Sequence, residues 1–310
     1  MGEARRRRIA LDEARQLLSL DKMFDRLVER FPGKPIPPTV YHYTSWASAE
    51  NILKSRELWL TAHDCTNDSS ELVSVDDTIV GCARGLLPSY EGSRASILNQ
   101  FVNAYDRDKV SNRVPVFLFC LTASRDDGHF WQSEYTGRGA GLCLGFKFLP
   151  DEKPEEIPGL GGAFIEIDYE EASWRAKLLD HFRMVLDAVP VVHVDPGFLT
   201  LAVAALNRIA AFAAIQGKQA SWADEKELRF AVMTTADCQH PVMEQESRGR
   251  RVRYMKLPVR PCGKPAFLEE VIIGPSQIQD TARVQLQALL ESVGYPCADT
   301  PLPTISESRS

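Results

Sequence analysis

The 310-residue chain contains no C-x-x-C pair, no apolar run approaching the length of a membrane span and no internal repeat. Each absence narrows the reading. Seven cysteines stand far apart, at Cys65, Cys82, Cys120, Cys143, Cys238, Cys262 and Cys297. An odd number at wide spacing is neither a disulfide framework nor a zinc site. Cys120 and Cys143 lie inside apolar stretches, where a free thiol behaves as a small hydrophobe. The expectation is a reduced, cytoplasmic protein with no metal. Without a segment long enough to span a bilayer, no membrane partner is expected. The basic start, MGEARRRRIALDEARQ, has no apolar stretch behind it, so no secretory signal is expected. An excess of positive charge is missing too: the formal net charge is −6, which weighs against general nucleic-acid binding.

What is present reads as alternating strands and helices. Residues 3–31 carry apolar side chains at helical spacing and predict an amphipathic helix. PGKPIPP, residues 32–38, ends it, because proline breaks a helix and extends its predecessor. VYHYT (40–44) reads as a strand with Tyr41 and Tyr43 on one face and Val40, His42 and Thr44 on the other. Ser45 or Ser48 caps a following helix, and Leu58–Leu60 forms another strand. Residues 71–105 are helical with a break near 85–92. The centre of the chain, residues 114–148, reads as a hairpin of two apolar strands around a loop rich in aromatic and ionisable groups, an arrangement by which scaffolds present sites. A strand at 163–169, helices at 171–189 and 196–216, strands near 225–233, 249–259 and 269–275, and a helix at 281–293 complete the pattern. The fold class expected is α+β, a single domain with a mixed or antiparallel sheet core and surrounding helices. Its parts are an N-terminal helical extension and linker (1–38), the domain proper (39–294) and a tail from 295 whose Pro, Ser and Thr content predicts disorder.

Four groups of residues could carry chemistry. His42 sits mid-strand and can serve as acid, base or double hydrogen-bond donor near neutral pH; a satisfied core histidine is the plainer reading. Trp131 and Tyr135 are four apart, so on a helix they would share a face and stack on a planar ligand, with Gly137, Gly139 and Gly141 letting backbone come close. Otherwise they belong to the core. In SWADEKELRF, a strand would put Glu225, Glu227 and Arg229 on one face, the two carboxylates about 7 Å apart. Such a pair could stabilise a cationic intermediate, against the alternative of an edge strand with a solvated face. Asn67, Asp68 and Glu71 read as a helix cap.

The blocks YHYTSWASAENILKSRELWLT, TNDSSEL, FCLTASRDDGHFWQSEYTGRGAGLCLGF, SWADEKELRF and VIIGP resemble, in order from Tyr41 to Pro275, the bacterial family of unknown function DUF2971. The family more often has a histidine just before the tyrosine where this chain has Gln132-Ser133-Glu134. The succession His, Tyr, Glu also resembles the H-Y-E pattern of ADP-ribosyltransferases. That resemblance implies an ADP-ribosyltransferase-like fold and NAD as substrate. His42 would hold the nicotinamide ribose, Tyr135 would pack on the nicotinamide ring, and Glu227 would hold the ribose hydroxyl and favour the oxocarbenium-like transition state. Glu225 would orient the acceptor and Arg229 would support the site. Tyr43, Thr44 and Trp131 join His42 and Tyr135 as the implied NAD-binding set. The acceptor, whether protein, nucleic acid, small molecule or water, is undetermined, and the N-terminal helix is a candidate for docking a partner. Toxin, effector and phage-defence roles fit such an enzyme. The alternatives are a non-catalytic nucleotide-binding module and a metal-dependent nuclease or hydrolase built on Asp68, Glu71, Glu225 and Glu227.

Overall fold

The computed structural model describes residues 37–65, 69–107, 116–148, 160–190, 194–234, 240–247, 249–258, 266–295 and 303–309, together with Ile9, Asp12, Glu13 and Gln16. The expected N-terminal helix and the Asn67–Asp68 turn lie outside the described residues, as does the side chain of Glu71. Two compact units emerge, each assembled from separate stretches of chain. Because the chain passes back and forth between them, no single linker marks the division.

One unit, drawn from His63–Val116 and Ile167–Ala220, is helical. Counting helices along the described chain from α1 (Trp46–Ser55), it holds α2 (Ser69–Leu86), α3 (Gly92–Arg107), α5 (Glu171–Ala188) and α6 (Pro196–Gln216). Asp195 caps α6, accepting from Phe198 N at 3.0 Å, and Pro196 fills the first turn, where its missing N–H costs nothing. Against the expectation of no apolar run of spanning length, α6, alone among the described residues, is long and apolar enough to cross a membrane, yet 61% of its most apolar window is buried inside the protein. Within this unit Tyr105 donates to the buried Asp76 carboxylate at 2.8 Å.

The other unit, from Pro35–Ala62, Phe117–Glu166 and Ser221–Ser310, contains the sheet. Its strands are β1 (Thr39–Thr44), β2 (Glu57–Ala62), β3 (Val116–Thr122), β4 (Leu142–Phe148), β5 (Leu160–Glu166), β6 (Glu227–Thr234), β7 (Met243–Ser247), β8 (Arg250–Pro258), β9 (Ala266–Ile273) and β10 (Thr304–Glu307). They form a ten-stranded sheet in the order β10-β9-β4-β1-β3-β2-β8-β7, with β6 also on β3 and β5 on β6. The β9–β10 pair is parallel, whereas β1 with β3 and β4, β2 with β3 and β8, β4 with β9, β5 with β6 and β7 with β8 are antiparallel. This is a mixed sheet with helices, the α+β class expected. α1, α4 (Gly128–Gln132) and α7 (Gln279–Ser292) belong to the same unit. Ser45 caps α1 through its side chain, as its position suggests, and α1 buries Ala49 and Leu53 where it meets β2 and β4.

Three expectations need correction. The two central apolar strands do not pair as a hairpin, because β1 lies between β3 and β4. The β5 strand starts and ends three residues earlier than alternation suggests. The tail is not featureless: β10 pairs with β9, and Pro303 and Tyr295 are buried. Local composition shows the weakness of the segment alone and not the edge waiting for it.

The glycine-rich stretch also works differently from its expected role. Gly139 O accepts from Ser276 N and Gly141 O from Gly274 N, each at 3.0 Å. A Cβ on Gly141 would collide with the Thr44 carbonyl. These glycines let backbone approach backbone, locking the loop before β4 to the turn after β9, rather than admitting a ligand. Gly141→Ala should therefore destabilise the protein by about 1–3 kcal/mol, as overpacking does. Urea unfolding checks this, and an unchanged midpoint would contradict the packing account.

Candidate functional site

Strand alternation separates the expected NAD-binding residues. Tyr41 and Tyr43 share one face of β1, and the registered row Tyr43–Cys143–Ile272 continues across β4 and β9. Phe130 and Trp131 of α4 close this row into a buried cluster. Tyr43 stacks on Phe130 at 4.6 Å between ring centroids and meets Trp131 edge-on at 4.9 Å. The Tyr43 hydroxyl donates to Ser124 O at 3.1 Å and accepts from Asp127 N at 3.0 Å; burial pushes its pKa up. Trp131 is 2% exposed and donates from Nε1 to Asp126 Oδ1 at 2.7 Å. Burial likewise raises the Cys143 thiol, which leaves it protonated and a poor nucleophile.

His42 lies on the opposite face. Its ring packs against Phe119 at 4.4 Å, and Nδ1 donates to Cys120 O at 2.9 Å. With Nδ1 carrying the proton, Nε2 holds the free lone pair. The bond occupies a particular place in the sheet. β1 and β3 register at one residue pair, Tyr41 with Thr122, and then part. The imidazole supplies a side-chain donor to Cys120 O beside that point of pairing. The ring is half-buried, and desolvation of its cationic form lowers its pKa, with the bond to Cys120 opposing in part.

Glu227 and Arg229 share a face of β6 as expected, but the face is not solvated. Each residue is 6% exposed, and Arg229 donates to both carboxylate oxygens, from Nε at 2.8 Å and Nη2 at 3.0 Å. Glu225 is not on the strand. It ends the 3-10 turn Ala220–Glu225, and Lys226, with φ of 44°, swings the chain into β6. A lysine in this left-handed region is strained and is held there by its surroundings. Thr122 Oγ1 lies 3.0 Å from Glu225 O and 3.3 Å from Lys226 O, so the end of β3 pins the turn.

Trp131 and Tyr135 do not share a helical face, because Ser133 is extended (φ −71°, ψ 160°) and ends α4 between them. Trp131 belongs to the core, whereas Tyr135 is 56% exposed on the 3-10 turn Glu134–Thr136, which lies against β1. Thr44 is buried on the His42 face at the end of β1. Thus β3 contacts both His42, through Cys120, and the Glu225–Lys226 turn, through Thr122, while Tyr43 and Trp131 are core residues of the other face. A cavity of about 600 Å³ opens beside Trp131, Gln132, Glu134, Arg138, Gly139 and Ser276. Among the described residues no three His, Cys, Asp or Glu side chains gather as a metal site requires. The partner that sequence reasoning missed is Thr122, whose role depends on the β3–β6 pairing and has no local signal. Comparison with models of known families, with curated proteins and with solved structures returns no match.

Two predictions follow from these contacts. Removing one partner of a buried ion pair strands the other, so Glu227→Gln should cost roughly 3–5 kcal/mol rather than leave the fold untouched. Glu227→Met with Arg229→Met should cost less than Glu227→Gln alone. A double mutant less stable than the single would contradict the pairing. For His42, the folded-state pKa lies below the unfolded value of about 6.5, so the unfolded chain takes up the proton first as pH falls. Its contribution is full above about pH 6.5 and is lost as pH falls toward the folded-state value. His42→Gln keeps a donor for Cys120 O and removes the titration. Urea unfolding in that window should show wild type losing stability more steeply than the variant; equal slopes would contradict the desolvated ring.

Proposed function

We propose that the sheet unit binds NAD and cleaves its nicotinamide–ribose bond, passing ADP-ribose to an acceptor nucleophile or to water. The resemblance to the H-Y-E transferases supplies the reaction. The observation that carries it to this structure is that three residues of β3, Cys120 to Thr122, hold both His42 and the turn that begins with Glu225. Glu227 follows directly.

The chemistry asks for few groups. The bond from ribose C1′ to the nicotinamide nitrogen breaks, and its electron pair leaves with nicotinamide. Positive charge then spreads over C1′ and the ring oxygen. A fixed carboxylate stabilises that charge more than it stabilises the ground state, which is the largest contribution such a site can make. Glu227 takes this role, its orientation fixed by Arg229; a carboxylate has lone pairs beyond the two that the guanidinium engages. Neutral His42 offers Nε2 as acceptor for a ribose hydroxyl. The acceptor's lone pair forms the new bond to C1′ and its proton is released, with Glu225, half-buried at the end of its turn, as the nearby base. Tyr135, exposed on the turn that packs against β1, stacks on the leaving ring in this reading.

A second reading has its own observation. Because Arg229 engages both Glu227 oxygens, the carboxylate is partly neutralised, and that favours a nucleotide-binding module that does not turn over.

Calorimetry with NAD, followed by a nicotinamide-release assay, separates the readings. Wild type should bind NAD and release nicotinamide. Tyr135→Ala, which removes an exposed ring at no cost to the core, should weaken binding roughly 2- to 10-fold. Glu227→Gln, corrected for its folded fraction, should lower release about 100- to 1,000-fold. Binding without release establishes the module instead, and the absence of both overturns the NAD reading.

A further inference from the structure

We propose that the C-terminal segment, residues 303–309, is a detachable strap that sets the geometry of the candidate site. The inference rests on the NAD reading only for its effect on activity; the strap itself is argued from contacts. β10 pairs with β9 in register, Thr304 with Glu270 through Glu307 with Ile273, and stands at the end of the sheet with one strand neighbour. Four parallel residues form a weak ladder. Ile305 and Ser306 are half-buried and Thr304 and Glu307 exposed, so Pro303 and part of Ile305 are the apolar surface that the segment buries. It is held by polar contacts: Arg283 of α7 donates to Ile305 O at 3.2 Å and to Glu307 Oε1 at 2.9 Å. Contacts of this kind contribute about 0.5–1.5 kcal/mol each, which puts opening of the strap at the low end of the protein's local unfolding energies.

The segment is joined to the residues that follow β3, Ser124-Arg125-Asp126-Asp127. Arg125 grips Glu270 with Nε at 2.9 Å and with Nη2, and the same Nη2 donates to Ser306 Oγ at 3.2 Å. Ser306 Oγ in turn donates to Glu270 Oε1 at 2.6 Å. Asp126 receives three donors: Ser308 Oγ at 2.8 Å, Arg309 N at 2.9 Å and the Trp131 indole at 2.7 Å. One residue on, Asp127 donates its N–H to the Tyr43 hydroxyl, and its carboxylate lies 3.9 Å from Lys226 Nζ. Four consecutive residues therefore connect the strap to Tyr43 of β1, to α4 and to the strained residue that precedes Glu227. Undocking the strap removes the Ser308 and Arg309 donors from Asp126 and the serine that bridges Arg125 and Glu270. The loop then loses the contacts that fix its position, and the Lys226–Glu227 turn loses its neighbour. An edge segment that completes the site in this way is a natural point of regulation, because anything that captures residues 303–309 lowers activity without entering the site.

The test uses the full-length chain. Ser306→Asp with Ser308→Asp sets new carboxylates against Glu270 and Asp126 and should expel the strap. Hydrogen exchange followed by mass spectrometry should show lost protection at 304–307 together with increased exchange at 124–132, while α2 and α6 are unchanged. Ser306→Ala with Ser308→Ala, which cuts the contacts without added charge, should give a smaller change in the same two segments. Nicotinamide release should fall in the same order. Exposure of 304–307 with 124–132 unaffected overturns the strap, as does unchanged protection in both segments of the aspartate variant. Coupled exchange in a protein that releases no nicotinamide sustains the strap and removes only the enzymatic reading.

Discussion

The hydrogen bond from His42 to the Cys120 carbonyl stands where two central strands separate, and the candidate site is organised around that separation. A backbone carbonyl at a fork must find a donor or carry the cost of leaving the ladder. Here a titratable side chain provides the donor, so a histidine is held half-buried, neutral and with one nitrogen committed. The other nitrogen remains chemically available. The same stretch of β3 then fixes the turn into β6 through Thr122. A single strand thereby positions an imidazole from one neighbour and a carboxylate from another.

The carboxylate is costly to keep. Glu227 and Arg229 are both withdrawn from water, and a buried ion pair returns little net stability for its desolvation. Packing alone would be served as well by two apolar side chains. Keeping the pair makes physical sense if a charged oxygen is required at that point, with the guanidinium holding it in one orientation. The strained Lys226 beside it fits the same account, since a residue in an unfavourable conformation persists only where neighbours dictate it.

Much of the fold was legible from residue pattern. Helix α6 runs over residues 196–216 as its apolar run predicts, β4 also falls in place, and of the two serines offered as cap Ser45 serves. What escaped was long-range. Nothing local reveals that β1 enters between β3 and β4, or that a Ser- and Thr-rich tail finds an edge at β9. The site was legible in its residue types and not in its faces. Alternation alone put His42 and Tyr43 on opposite sides of β1, yet a shared role asked them to meet, and the sheet decided in favour of alternation. The spacing of Trp131 and Tyr135 suggested one helical face, which an extended serine between them breaks. Glu225 was read into a strand that begins two residues later, because a left-handed lysine has no signature in composition.

The central claim is that the fork between β1 and β3 is where NAD is held. The most direct measurement is a titration with NAD followed by nitrogen-15 resonances of the His42 imidazole. The account predicts a neutral ring protonated at Nδ1, with a saturable shift at Nε2 as its lone pair takes a ribose hydroxyl. A His42 signal that stays still while resonances around Trp131 and Ser276 move would contradict it and place the ligand in the cavity that those residues line.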